Sequence, residues 1–208
     1  MANIIELRFS KNVDLCRATQ RFSHYYEVED FVGKIVTWEK MDEFYEKKYS
    51  DKMWWCNRYA GANIPDHVFK AFLASDLSDY SPEETRILDI VRDIEEPYYV
   101  IMTSDEALYV RDHEIAHAMW YLIPEYHDKA RKIVMDNWDE VENIRSHIKR
   151  YYADEVMVDE LHAYIGVYTR YLLGAFISFP MNMHSQLAIL FSTYARDNKP
   201  EFISFGRE

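Results

Sequence analysis

His113, Glu114 and His117 stand in the spacing His-Glu-x-x-His, and each of the three side chains has chemistry to offer. On a helix, residues four apart lie one turn above each other, so the two imidazoles would leave the same face and converge on a single ion. Zinc accepts neutral imidazole nitrogen readily, and three protein ligands leave a fourth position open, as hydrolysis requires. A water held there becomes acidic enough to attack near neutral pH. Glu114 points about 100° away from His113 and is the expected base, taking a proton from that water and handing it to the leaving amine. The chemistry read from these residues is metal-assisted hydrolysis. Coincidence is a weak competitor: shuffling a chain of this composition produces the pattern roughly 0.03 times.

The flanking residues predict the elements that hold the motif. Residues 105–122 lack Gly and Pro, Pro124 marks a stop and Ser104 is a candidate cap, so one helix is expected across the motif. Just upstream, residues 98–102 have the aromatic and β-branched composition of a strand; a strand before a His-Glu-x-x-His helix resembles the zincins, which implies an edge along which an extended substrate backbone lies. Residues 4–9 partly alternate and read as a second strand, while 38–48 and 83–92 read as amphipathic helices. Ser81, Pro82 and Glu84 form a helix start. The stretch 61–65, Gly-Ala-Asn-Ile-Pro, reads as a turn. Beyond Pro124, helices are expected over 125–150 and 153–173. The fold class that follows is α+β, predominantly helical, with a short sheet beside the motif helix. Across 208 residues no linker or repeat interrupts the chain, which predicts one domain over 1–208.

Two histidines need a third ligand. Trp120 and Ile123 occupy the positions three and six beyond the second His, where an extended motif would carry Gly and a third His. The ligand must therefore come from elsewhere, and Glu155, Asp159, Glu160 and His162 are available downstream. Glu155 and Glu160 lie about 140° apart on a helix, so only one can face the ion. Glu160 shares its face with Ala153, Val156, Ala163, Tyr164, Val167 and Tyr171, a mainly apolar stripe on which a carboxylate is costly unless a cation meets it. Glu155 has Tyr151, Tyr152, Asp159, His162 and Gly166 around it, a wetter face. Glu160 is the favoured third ligand and Glu155 the alternative; Asp159 or His162 as direct ligand is the minority reading, with His162 expected at the surface.

Residues 110–164 resemble the gluzincin branch of the zincin-like metallopeptidases, through Val110, His113, Glu114, Ile115, Ala116, His117, Ala118 and Met119 followed by a helical Glu. The run Asp159-Glu160-Leu161-His162-Ala163-Tyr164 also looks like the ending of a group of short bacterial and phage zincin-like proteins. The resemblance implies zinc, peptide-bond hydrolysis and a helix-rich α+β fold, without implying a substrate. Glu155 and Asp159 match the Glu-x-x-x-Asp spacing of the thermolysin-like members, in which the Asp orients a ligand His, and this keeps Glu155 open. Gluzincins commonly set a Tyr or His against the oxyanion, for which Tyr151, Tyr152, Tyr168, His147 and His184 are candidates. Arg111 departs from the extended pattern, which has an uncharged residue there.

Composition narrows the partners. A net charge of −12 without clustered Lys and Arg argues against a nucleic-acid surface. The start of the chain does not resemble a secretory signal, and the longest apolar run, 171–183, is too short to span a membrane. Two cysteines do not indicate a disulfide framework, so a cytoplasmic setting is the simpler expectation. Three functions remain: a zinc endopeptidase with Glu114 as base, acting on a peptide or protein; a non-catalytic zincin-like interaction module; and a zinc hydrolase of a non-peptide amide or ester.

Overall fold

A computed structural model of the chain describes residues 2–57, 59–167 and 179–205, in which four short strands form one mixed sheet with helices on both faces. The strands are β1 (Ile4–Phe9), β2 (Gly61–Pro65), β3 (Tyr99–Ser104) and β4 (Glu201–Ser204), in spatial order β2-β3-β1-β4. β1 runs parallel to β3 and β4, whereas β2 runs antiparallel to β3 with Asn63 opposite Ile101. Strand β3 is therefore interior, and β2 is the edge next to it. This corrects two expectations: the 98–102 segment is not the edge strand, and residues 61–65 are not a turn. Gly, Asn and Pro read locally as turn formers, but pairing with β3 gives the β2 backbone its hydrogen bonds and overrides that preference.

The helices are α1 (Asn12–Glu27), α2 (Trp38–Tyr49), α3 (Asp66–Leu73), α4 (Pro82–Val91), α5 (Arg111–Leu122), α6 (Pro124–Asp136), α7 (Glu142–Ile148), α8 (Met157–Gly166) and α9 (Met181–Ala195). The class is α+β and predominantly helical. Helix α4 starts as the sequence predicts: the Ser81 side chain accepts from the Glu84 N–H, and the Glu84 side chain accepts from the Ser81 N–H. The motif helix starts later than predicted, because Leu108–Val110 form a 3-10 turn before α5. Ser104 does not cap it; it ends β3 and its hydroxyl binds the Asn12 side chain. The region predicted as one helix over 125–150 is split into α6, a 3-10 turn over Trp138–Val141, and α7. The predicted 153–173 helix opens with a 3-10 turn over Asp154–Val156, and α8 ends at Gly166, short of the predicted end; positions 168–173 lie outside the described residues.

Strand alternation sorts the sheet's side chains between two apolar layers. Ile5, Leu7, Val100, Met102, Ala62 and Ile64 point to one layer, built with Leu15 and Phe22 of α1, Phe69 and Phe72 of α3 and Ile87 of α4. Ile4, Tyr99 and Ile101 point to the other, with Ile115 and Met119 of α5, Ala130 and Val134 of α6, Leu161 of α8 and Leu187 of α9. The sheet thus presses α5 against α8, the two helices that carry the candidate ligands. Cys16 of α1 and Cys56 form a disulfide, although the cysteine count did not indicate one. Their partnership spans 40 positions and has no local signature. No helix among the described residues is long and apolar enough to cross a membrane.

Candidate metal centre and cleft

Helix α5 packs beneath β2 and β3 and against α8. Arg111, at its first turn, forms an ion pair with Glu6 of β1 at 2.8 Å. Glu6 is buried on the α5 side of the sheet, where Arg8 and Thr103 also reach it. A charged residue at position 111 is thus explained by a buried carboxylate that needs a cation. Its burial opposes ionisation, but the hydrogen bonds and charges of Arg111 and Arg8 hold the Glu6 carboxyl below its usual pKa.

His113 and His117 project from one face of α5, and Glu160 meets them from α8, all three buried. The two Nε2 atoms are 3.1 Å apart, and Glu160 lies 3.9 Å from His113 Nε2 and 3.7 Å from His117 Nε2. The carboxylate distances exceed hydrogen-bond length. They approach the roughly 3.3 Å edge of a tetrahedron with zinc-ligand bonds of about 2.05 Å. One ligand atom from each residue lies within 4.8 Å of the other two, so a single ion can serve all three. Glu160 Oε2 is buried with no hydrogen-bond partner among the described residues, which is the orphaned acceptor that a cation would satisfy. Burial, with Asp159 and Glu114 adding repulsion, pushes the Glu160 carboxyl up to about 8. Burial also holds the His113 ring well below its usual pKa, with His117 and His162 reinforcing it. A neutral His113 imidazole and a buried carboxylate whose Oε2 lacks a hydrogen-bond partner among the described residues are donors that a divalent ion suits.

Asp159 completes the arrangement from behind. Its Oδ1 lies 2.8 Å from His117 Nδ1, leaving Nε2 turned toward His113 and Glu160. Burial disfavours the charged His117 ring, yet the Asp159 and Glu160 carboxylates outweigh it and push its pKa up to about 10. For Asp159 burial is likewise overridden, chiefly by His117, and its pKa falls to about 2. The orienting role that the Glu155 alternative gave to Asp159 is compatible with Glu160 on the ligand side, because the two are adjacent and face different atoms. Glu155 is exposed in the preceding 3-10 turn and is not brought to the histidines. His162 is not at the surface as expected: it is buried, its Nδ1 lies 2.5 Å from the Asp159 carbonyl oxygen, and its ring stacks on Trp120 at 4.8 Å. Trp120 thereby fills the space behind the site.

Glu114 faces a cleft of about 480 Å³ that His113 also lines. Asn63 of β2 donates from Nδ2 to Glu114 Oε2 at 2.9 Å, and the Tyr99 hydroxyl donates to Asn63 Oδ1 at 2.6 Å. Burial raises the Glu114 carboxyl to about 7, although the His117 charge and the Asn63 hydrogen bond pull the other way. Gly61, two residues before Asn63 on the same side of β2, leaves room for Glu114 Oε1, with which a Cβ would collide. Among the oxyanion candidates, Tyr151 and Tyr152 line the cleft, joined by Tyr109 and Tyr164, which the sequence reading did not propose. The His184 ring is instead bonded to the Ile165 carbonyl, and His147 sits against the Tyr151 ring outside the cleft lining. Tyr168 lies outside the described residues. Asn63, Gly61 and Glu27 were also missed, because each reaches the site only through a strand or a helix end distant in sequence. Comparison with protein-family models, curated proteins and solved structures gives no match.

Proposed function

We propose that this chain is a zinc-dependent metallopeptidase. The observation that carries the reading is the convergence of His113, His117 and buried Glu160 at one point, with Glu114 facing the adjoining cleft. His113, His117 and Glu160 would hold the ion, and Asp159 would keep His117 in the tautomer that presents Nε2. Zinc bound there supplies a Lewis acid and lowers the pKa of water. Glu114 is the base: with a pKa near 7 it can accept a proton from the attacking water and return it to the departing amine. Asn63 fixes one Glu114 oxygen and leaves the other for that transfer. The β2 edge, whose Gly61 and Asn63 line the cleft, is where an extended peptide backbone would add as a further strand.

Metal analysis beside cleavage of casein, an unstructured protein, tests the proposal. Wild type is expected to carry about one zinc per chain, which His113→Ala, His117→Ala and Glu160→Ala lose and Glu155→Ala keeps. Glu114→Gln should retain zinc and lose hydrolysis, since the amide fills the same space but is not a base. Equal metal in all forms removes the site, and undiminished cleavage by Glu114→Gln removes its mechanism.

A further inference from the structure

Glu27 is a carboxylate inside the cleft for which hydrolysis has no use. It is the last residue of α1, and its backbone carbonyl accepts from the Ala153 N–H at 3.1 Å, which ties the helix end to the segment leading into α8. Its side chain lines the cleft together with His113 and Glu114 and is only 6% exposed. Among the described residues, no hydrogen bond or ion pair reaches its carboxylate. Nor is it one of the three residues whose ligand atoms converge within 4.8 Å, so it is not a fourth metal ligand. A buried carboxyl left this way holds its proton unless a cation arrives to favour the charged form.

The walls around it suit a cation. Trp54, Trp55, Tyr59 and Tyr152 line the same cleft, and no Lys or Arg stands among the described lining residues. Aromatic faces attract alkylammonium groups through the negative potential above the ring, most strongly where water is excluded. Burial and repulsion from Glu160 and Glu114 raise the Glu27 pKa and outweigh the opposing charge of His117. Zinc would offset the Glu160 charge, and an ammonium group beside Glu27 would favour its charged form and relieve the remaining repulsion from Glu114.

Building on the metallopeptidase reading, we infer that the cleft selects substrates carrying a primary ammonium group, which seats against Glu27 between the aromatic walls. The free amine of a peptide N-terminus and a lysine side chain share this chemistry.

Binding and turnover test the inference separately. In the binding arm, the Glu114→Gln protein is titrated with n-butylammonium and with its neutral isostere 1-butanol, followed by tryptophan fluorescence and calorimetry. The ammonium should bind about tenfold or more tightly than the alcohol, and adding Glu27→Gln should abolish the difference while leaving zinc content unchanged. Equal affinities overturn the inference, as does a preference that survives Glu27→Gln, and loss of zinc on Glu27→Gln would make Glu27 a ligand instead. Because the first comparison needs no substitution at Glu27, it stands even if that variant fails to fold. In the turnover arm, three quenched peptides are compared: one with a free N-terminus and no lysine, one acetylated with lysine, and one acetylated with norleucine. Preference for the first or second identifies the source of the ammonium, and equal cleavage of the third overturns the inference. If no peptide is cut but the ammonium preference holds, the peptidase reading fails and the cation site stands.

Discussion

Asp159 and Asn63 show how single residues set the chemistry of others. A hydrogen-bond partner on one ring nitrogen of a histidine fixes the tautomer that offers the other to a metal, and Asp159 provides that partner for His117 at 2.8 Å. Asp159→Asn keeps an acceptor in place but removes the charge that orients and enriches the ring. Its zinc affinity is expected to fall about 10–100-fold, measured by competition with a chromophoric chelator. An unchanged dissociation constant would leave Asp159 without influence on the site. Neighbouring Glu160 was identifiable from the sequence as a carboxylate on an apolar stripe, whereas the Asn63 hydrogen bond was not, since Asn63 and Glu114 are 51 positions apart.

At the scale of elements, β2 matters more than its length suggests. Its alternation sends Gly61 and Asn63 toward α5 and Ala62 and Ile64 into the opposite layer, so one strand borders Glu114 and closes a core. In Gly61→Ala the new Cβ would meet the Glu114 and Val110 side chains rather than backbone, so the chain should fold once both shift, yet hydrolysis should drop about tenfold or more as Glu114 is displaced. Wild-type rates from Gly61→Ala, measured on the same peptides at equal zinc loading, would contradict this. The Cys16–Cys56 bond joins α1 to the turn that carries Trp54 and Trp55, and so ties the aromatic wall of the cleft to the helix ending at Glu27. Closing a loop of 40-residue separation stabilises by about 4 kcal/mol in the chain-entropy account. Melting curves with and without dithiothreitol should show a clear loss of Tm on reduction, and coincident curves would show the bond to be energetically idle.

The described residues form two apolar layers sharing one sheet, with a smaller cluster of Val28, Phe31, Met41 and Tyr45 beside them. Stability should carry the mark of a buried histidine that is not among the candidate metal ligands. His24 is fully buried beside Phe31, Tyr45 and Trp55, with its Nε2 and the Tyr45 hydroxyl 2.5 Å apart. Burial pushes its pKa down to about 3 from an ordinary 6.5. Between those values the unfolded chain binds one more proton than the folded chain. The contribution is therefore complete above about pH 6.5 and is lost as pH falls toward 3, at up to ~1.4 kcal/mol per unit for this one group. Urea denaturation at pH 7, 6, 5 and 4 should show a steeper decline for wild type than for His24→Gln. Parallel declines would mean that His24 does not titrate between the two states.

Several features were decided by short stretches of chain. The motif helix, the Ser81–Glu84 cap, β1 and the inward face of Glu160 follow from helix and strand periodicity and from the cost of burying charge, which act over a few residues. Tertiary structure decided what depends on partners distant in sequence. Pairing with β3 made a strand of a segment rich in turn formers. Packing of α5 beneath that strand placed Asn63 on Glu114, and the end of α1 delivered Glu27 to the same cleft. The cysteine pairing belongs with these. Local propensities differ by about 1 kcal/mol or less, and strand pairing and core burial outweigh them; only the assembled fold specifies which distant residues meet.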